Sequence, residues 1–265
     1  MKGRTALKTT TAVFFICALY ISTAFAGNDR KHKLIMLKAA KDVEYLSQKI
    51  AKAYFYKQQG IRLDSAVEDL KKGIARLEKN LIIIQEGIEK GDREEENVVV
   101  FLDYTYNELK NTLNKPYNKD NGALIIDYSE SLMEGGAFLA QGHQHKTSSE
   151  EAMLITVEHM LFLLERINKL YIAYQAEFHD YTNVVQLKQA VKEFDADLSK
   201  VNSYRNYSDK ALKSRDKLNE FWPVAQEFFA DVQRAALPVI VLASAEKLQK
   251  ELATLDDFHH KAAVR

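Results

Sequence analysis

Apolar residues at Val67, Leu70, Ile74, Leu77, Leu81, Ile84 and Ile88 recur at alternating steps of three and four along an otherwise charged stretch. That spacing draws one apolar seam down a helix, in the geometry of left-handed helical bundles. The seam is written again 117 residues further on, as Val184, Leu187, Val191, Phe194, Leu198 and Val201. The helices ahead of the two seams repeat in the same way. Met36, Ala39, Val43, Leu46, Ile50 and Ala53 form the inward set of one, and Met153, Thr156, Met160, Leu163, Ile167 and Leu170 that of the other. From Met36 to Leu81, eleven of 46 positions are identical at this offset, among them Lys52 with Lys169 and Tyr54 with Tyr171.

Beyond Leu81 the offset becomes 116, as a one-residue deletion in a loop would make it. Leu102, Tyr106, Leu109 and Leu113 then align with Leu218, Trp222, Ala225 and Phe229. A fourth helix aligns Ile125, Leu132 and Leu139 with Val241, Leu248 and Leu255. Breaks are expected at Gly60, at Gly91-Asp92, from Pro116 to Gly122 and from Gly142 to Glu151. In the last of these, Thr147 with Glu150 or Ser148 with Glu151 forms a capping box that starts the second set. Pro223 either kinks the third helix of that set or stands in its first turn. The predicted fold is all-α, with two tandem up-down-up-down four-helix bundles over residues 30–146 and 147–262.

Composition agrees: three prolines and ten glycines in 265 residues leave room for long, seldom broken helices. The N-terminus adds a compartment. Lys2, Arg4 and Lys8 precede a ten-residue apolar run from Ala12 to Ile21, followed by Ala24-Phe25-Ala26. That order is a secretory signal peptide over 1–26, cleaved near Ala26, which predicts a periplasmic product. A run of that length falls well short of the roughly 20 residues a spanning helix needs. Cys17, the only cysteine, lies inside the signal, so disulfides and thiolate chemistry are excluded from the mature chain. Cleavage removes three basic residues and no acidic one, taking the formal charge from 0 to −3. A near-neutral chain with interspersed signs carries no footprint for nucleic acid.

Candidate chemistry is sparse. His143 and His145 form an H-x-H in a hinge and His259-His260 lie near the C-terminus, without carboxylates at zinc-site spacing, so they read as solvated. No histidine has a glutamate three residues before it, as di-iron bundles require, and no C-x-x-C-H marks a haem. No cofactor and no metal are expected. Of Tyr45, Tyr54, Tyr56, Tyr104 and Tyr106, most read as half-buried bundle residues with a polar tip. Asp92 to Glu96 place negative charge at the start of the third helix, where the dipole favours it. A nucleophile paired with a base is not evident, and the chain reads as no enzyme.

The segment AKDVEYLSQKIAKAY, from Ala40 to Tyr54, resembles the signature A-G-R-Q-R-M-L-S-Q-R-I-A-K of the PilJ/NarX-type sensor domain. This is the N-terminal domain of type IV pili methyl-accepting chemotaxis transducers. The best match is Leu46-Ser47-Gln48-Lys49-Ile50-Ala51-Lys52. The resemblance covers one helix by motif and both halves by architecture, since the family is a periplasmic four-helix bundle of this repeat length. Sensor bundles of the family work as dimers, so the tandem copy is expected to supply a pseudo-dimer within one chain, with a homodimer or end-to-end packing as alternatives.

The resemblance implies a sensory or ligand-binding module, acting through a membrane receptor or a pilus or envelope protein. The chain ends at Arg265 without a signalling segment, which points to a stand-alone module. The alternative is a structural interaction protein of the envelope or pilus machinery with no small ligand. Nitrate-sensing members hold the anion with a signature arginine where two first helices meet. Here those places carry Asp42 and Glu44, with Lys41 in place of the glycine, and the second copy has Glu158, His159 and Leu161. Carboxylates reverse the local charge and remove the bidentate donor, so nitrate is not the expected ligand. Any surviving site is expected near Lys41, Asp42, Glu44, Tyr45 and Lys49, facing His159, Phe162 and Arg166.

Overall fold

The computed structural model describes residues 7–89, 91–144, 148–233 and 236–263, with the backbone alone described for 7–31. The whole predicted signal segment, and His145 and Thr147, therefore lie outside the residues whose side chains are described. Among the described residues there are eight α-helices and no strand, so the chain is all-α as expected. They are α1 (Leu7–Gln58), α2 (Leu63–Gly87), α3 (Arg93–Leu113) and α4 (Lys119–Gly142), then α5 (Ser149–Gln175), α6 (Tyr181–Ser203), α7 (Asp209–Ala230) and α8 (Pro238–Ala263). No described helix is long and apolar enough to cross a membrane.

Local chemistry sets the ends. Gly60 and Gly91 take positive φ angles of 67° and 99°, which L side chains rarely adopt, and each lies in the connection between two helices. Asp92 caps α3 by accepting from the Glu94 and Glu95 amides, and three glutamates follow in the first turn. Ser148 caps α5 by accepting from the Glu151 amide at 3.1 Å. Pro223 lies well inside α7 rather than in its first turn.

Helix α1 packs on α2 and α4, and α3 packs on the same two, which closes a ring of four. Helices α5 to α8 close a second ring in the same order. Neighbours joined by short connections must run antiparallel to lie along each other. The rings meet where α1 packs along α5.

The seams account for most of each core. Met36, Ala39, Val43, Leu46, Ile50 and Ala53 are buried, as are Leu163, Ile167, Leu187, Val191, Phe194 and Leu198. In α2 the reading needs correction. Val67 is 46% exposed, while Ala66, Leu70, Gly73, Leu77, Asn80 and Ile84 are the buried positions. The helix is turned toward α1 and touches α3 sparsely, so Ile74, Leu81 and Ile88 are only partly covered. The histidine reading also fails in part. His259 is fully buried among Tyr204, Tyr207 and Phe258, because α8 continues to Ala263 and seats it against the α6–α7 connection. His143 is held 3.0 Å from Glu95 Oε1 with its side chain 11% exposed.

Candidate functional site

Between Val43 and Tyr56 only Tyr45 and Lys49 of α1 escape full burial, and α5 is covered almost as completely from Phe162 to Ala173. A helix buried on all sides needs neighbours on all sides. One face of α1 serves its own ring and the other meets α5. Into that second face the sequence places polar groups: Ser47, Gln48 and Lys52 from α1, and Glu165, Asn168 and Lys169 from α5, none more than 4% exposed.

Each finds partners. Lys52 Nζ lies 2.6 Å from Glu165 Oε2. The other oxygen of Glu165 accepts from the Tyr45 hydroxyl at 3.0 Å and from Gln249 Nε2 of α8 at 2.8 Å. On the α4 side, Arg166 donates twice to Glu130, at 3.0 and 2.8 Å, and Lys169 Nζ donates to the same carboxylate. Gln48 Nε2 donates to the Ser129 carbonyl at 3.3 Å, and its Oε1 accepts from Arg166 at 3.4 Å. Tyr56 donates to the Pro238 carbonyl at 3.1 Å. Lys52 and Lys169 are the two copies of one repeated lysine, and both reach into the opposite ring.

Burial and charge set the protonation of this junction. Burial pushes the Lys169 ammonium down to about 8, with Glu130 pulling it back and Arg166 adding to the fall. Burial also works to raise Glu130, but Lys169 and Arg166 outweigh it and hold the carboxyl below the usual range. Tyr45 is raised by burial and by Glu165, so it stays a donor. Glu44 is raised by burial, with Lys41, 2.8 Å away, opposing. At the far end of the junction burial and the nearby Asp256 and Asp42 push Glu158 up to about 8.

Of the eight sequence-nominated residues, the structure gathers Tyr45 and Arg166 into this network. Glu44 and Lys41 pair with each other beside it. Phe162 stacks on His159 with ring centroids 5.7 Å apart. The others face their own ring. Asp42 accepts from Arg76 at 3.2 and 2.5 Å and from Asn80 at 3.3 Å, and Lys49 lies 3.2 Å from Asp69. His159 Nδ1 lies 2.6 Å from Asp197 Oδ2. At the repeat offset the pairing changes: Asp42 against Arg76 and Asn80 becomes His159 against Glu193 and Asp197.

Sequence reasoning missed Gln48, Lys52, Glu130, Glu165, Asn168, Lys169 and Gln249. The available signal was the identity of Lys52 and Lys169, together with helices that leave no polar face for solvent. Chemically the arrangement matches donors to acceptors across two rings and fixes the register of α1 against α5. Sliding either helix by one turn would leave Glu165 and Lys169 buried without counter-charges, at a cost of several kcal/mol each. No known family, curated protein or solved structure matches this chain.

Proposed function

We propose that this chain is a periplasmic sensory or ligand-binding module of the PilJ/NarX type, in which two four-helix bundles stand in for the two subunits of a sensor dimer. A membrane receptor or a pilus or envelope protein would receive its state. One observation carries the reading: the first helix, which bears the signature-like segment, packs on its repeat through a buried polar network. A sensor needs a junction whose geometry depends on its polar pairs. Here Lys52, Glu165, Arg166, Glu130 and Lys169 make such a junction.

A thermal-shift screen of small-molecule classes tests it, because a ligand that binds only the native state raises its stability. The expected result is stabilisation by one chemical class, lost in Arg166→Gln at the junction. Stabilisation by none, with an envelope protein recovered by in-cell crosslinking, would replace this reading with that of a structural interaction protein. The exposed side chains of Val100, Phe101, Tyr104 and Phe138 on α3 and α4 favour that second reading.

A further inference from the structure

In the first ring a groove of about 170 Å³ runs between α2 and α3. Its floor is apolar, with Leu81, Ile84, Val99 and Leu102, and Glu78 and Asp103 stand along it. The equivalent place in the second ring is spanned by side chains. There Asn202 and Asn219, at the repeat positions of Gln85 and Asp103, exchange two hydrogen bonds of 2.8 Å between α6 and α7. Trp222, in the place of Tyr106, donates from Nε1 to Asp195, in the place of Glu78, at 3.0 Å. The indole also stacks on Phe194 with centroids 4.1 Å apart. The seams agree: Val191 and Leu198 are buried, whereas their counterparts Ile74 and Leu81 are only partly covered.

Thus one fold, written twice, bridges this place with an asparagine pair and an indole in one copy and carries a groove there in the other. The groove is lined by two carboxylates, and no basic residue lines it. Asp103 spends an oxygen only on Asn107 of its own helix, at 3.3 Å. At the groove's end the Lys110 ammonium sits 3.5 Å from Glu78 and 5.5 Å from the centroid of the Tyr106 ring, which shows what kind of group this rim accepts. With Lys110 set against Glu78, one negative charge remains uncompensated over an apolar floor. A cavity of about 150 Å³ with an apolar lining holds benzene, so the space suits a body of that size.

We infer that the α2–α3 groove binds a small organic monocation, an ammonium group carried on an apolar body about as large as a benzene ring. The inference stands on the comparison of the two rings and not on the sensor reading, whose site is the α1–α5 junction.

Titration with benzylamine, benzyl alcohol and benzoate, followed by NMR of the whole protein, tests it. Benzylamine is expected to saturate and to shift resonances on α2 and α3 and not on α6 and α7. Benzyl alcohol should bind at least tenfold more weakly, and benzoate should not bind. Asp103→Asn, at an exposed position, should weaken benzylamine at least fivefold while leaving the melting curve and any junction ligand unaffected. Val99→Trp, which fills the groove, should abolish the shifts. Equal binding of benzylamine and benzoate, equal shifts in both rings, or no shift on α2 and α3 at millimolar benzylamine would each overturn the proposal.

Discussion

Replacing Lys52 by methionine removes the ammonium from the α1–α5 junction while keeping most of its stem. The Glu165 carboxylate, fully buried, then retains Tyr45 and Gln249 as donors and loses its counter-charge. At the observed 2.6 Å separation and an effective dielectric of about 20, the pair's attraction is about 6 kcal/mol before desolvation is set against it. Stranding one member of such a pair costs about 3–5 kcal/mol. Glu165→Gln should cost a similar amount, because Lys52 is then the uncompensated group, although the amide oxygen still accepts from Tyr45. The double variant restores neutrality, and glutamine is what the first copy already carries at the equivalent Gln48. It should lie within about 2 kcal/mol of the parent, since neutral replacements of buried pairs are tolerated. Urea unfolding followed by far-UV circular dichroism gives the four stabilities of the cycle. Single losses of about 3–5 kcal/mol each against at most about 2 kcal/mol for the double variant require a coupling of at least about 4 kcal/mol, above the usual range for residues in contact. A loss below about 1 kcal/mol in Lys52→Met, the value of a solvent-exposed pair, would show that the junction is wet and refute the account of it.

Leu77→Ala or Phe194→Ala, each at a fully buried seam position, should cost about 2–5 kcal/mol by denaturant unfolding. In Gly136→Ala the new methyl would meet the Ala40 carbonyl at 2.9 Å and the Glu44 amide at 3.1 Å, both backbone, so α4 must move off α1. A loss of about 1–3 kcal/mol is expected there, with no loss refuting the close approach. Burial pushes His259 down to about 4 from 6.5, with Glu150 opposing, so the unfolded chain takes up the proton first as the pH falls. The stability due to neutral His259 is therefore complete above about pH 6.5 and is lost toward pH 4, and His259→Phe should flatten that part of a melting-temperature profile. Calorimetric titration with nitrate and nitrite should find no binding at micromolar dissociation constants, that is, none reaching about −8 kcal/mol.

The all-α fold was legible because an apolar step of three and four survives any surface composition, and because few breakers interrupt it. Burial of Ile125, Leu132 and Leu139, and of Val241, Leu248 and Leu255, follows that rule in both copies. The rule gave a wrong face for Val67. Periodicity places an apolar stripe on a helix, but which edge of the stripe is covered depends on how closely the next helix approaches. Between α2 and α3 the approach is sparse, and Leu81 and Ile84 of the seam line a groove. His259 misled for a related reason: proximity to a chain end says nothing of whether the last helix carries its side chain inward.

The junction was harder to read because its residues look like surface. Gln48, Lys52, Glu165 and Lys169 belong to types usually left in water, and only the packing of α1 on α5 turns them inward. The nominated positions 42 and 159 show the converse, since they looked like a shared ligand site and serve their own rings. Their partners changed with them. Asp42 meets Arg76 and Asn80, and His159 meets Glu193 and Asp197, so each position is matched to α2 or α6 and not across the junction. The guanidinium fork that does lie at the junction, Arg166, is already spent on Glu130 through two parallel bonds, and Lys169 shares the same carboxylate. An anion that took the two-pronged face of Arg166 would displace Glu130 and leave a part-buried carboxylate against Lys169 alone. A ligand at this junction must offset the loss of charge-assisted hydrogen bonds, each of about 1.5–3 kcal/mol, before any of its own contacts register as affinity.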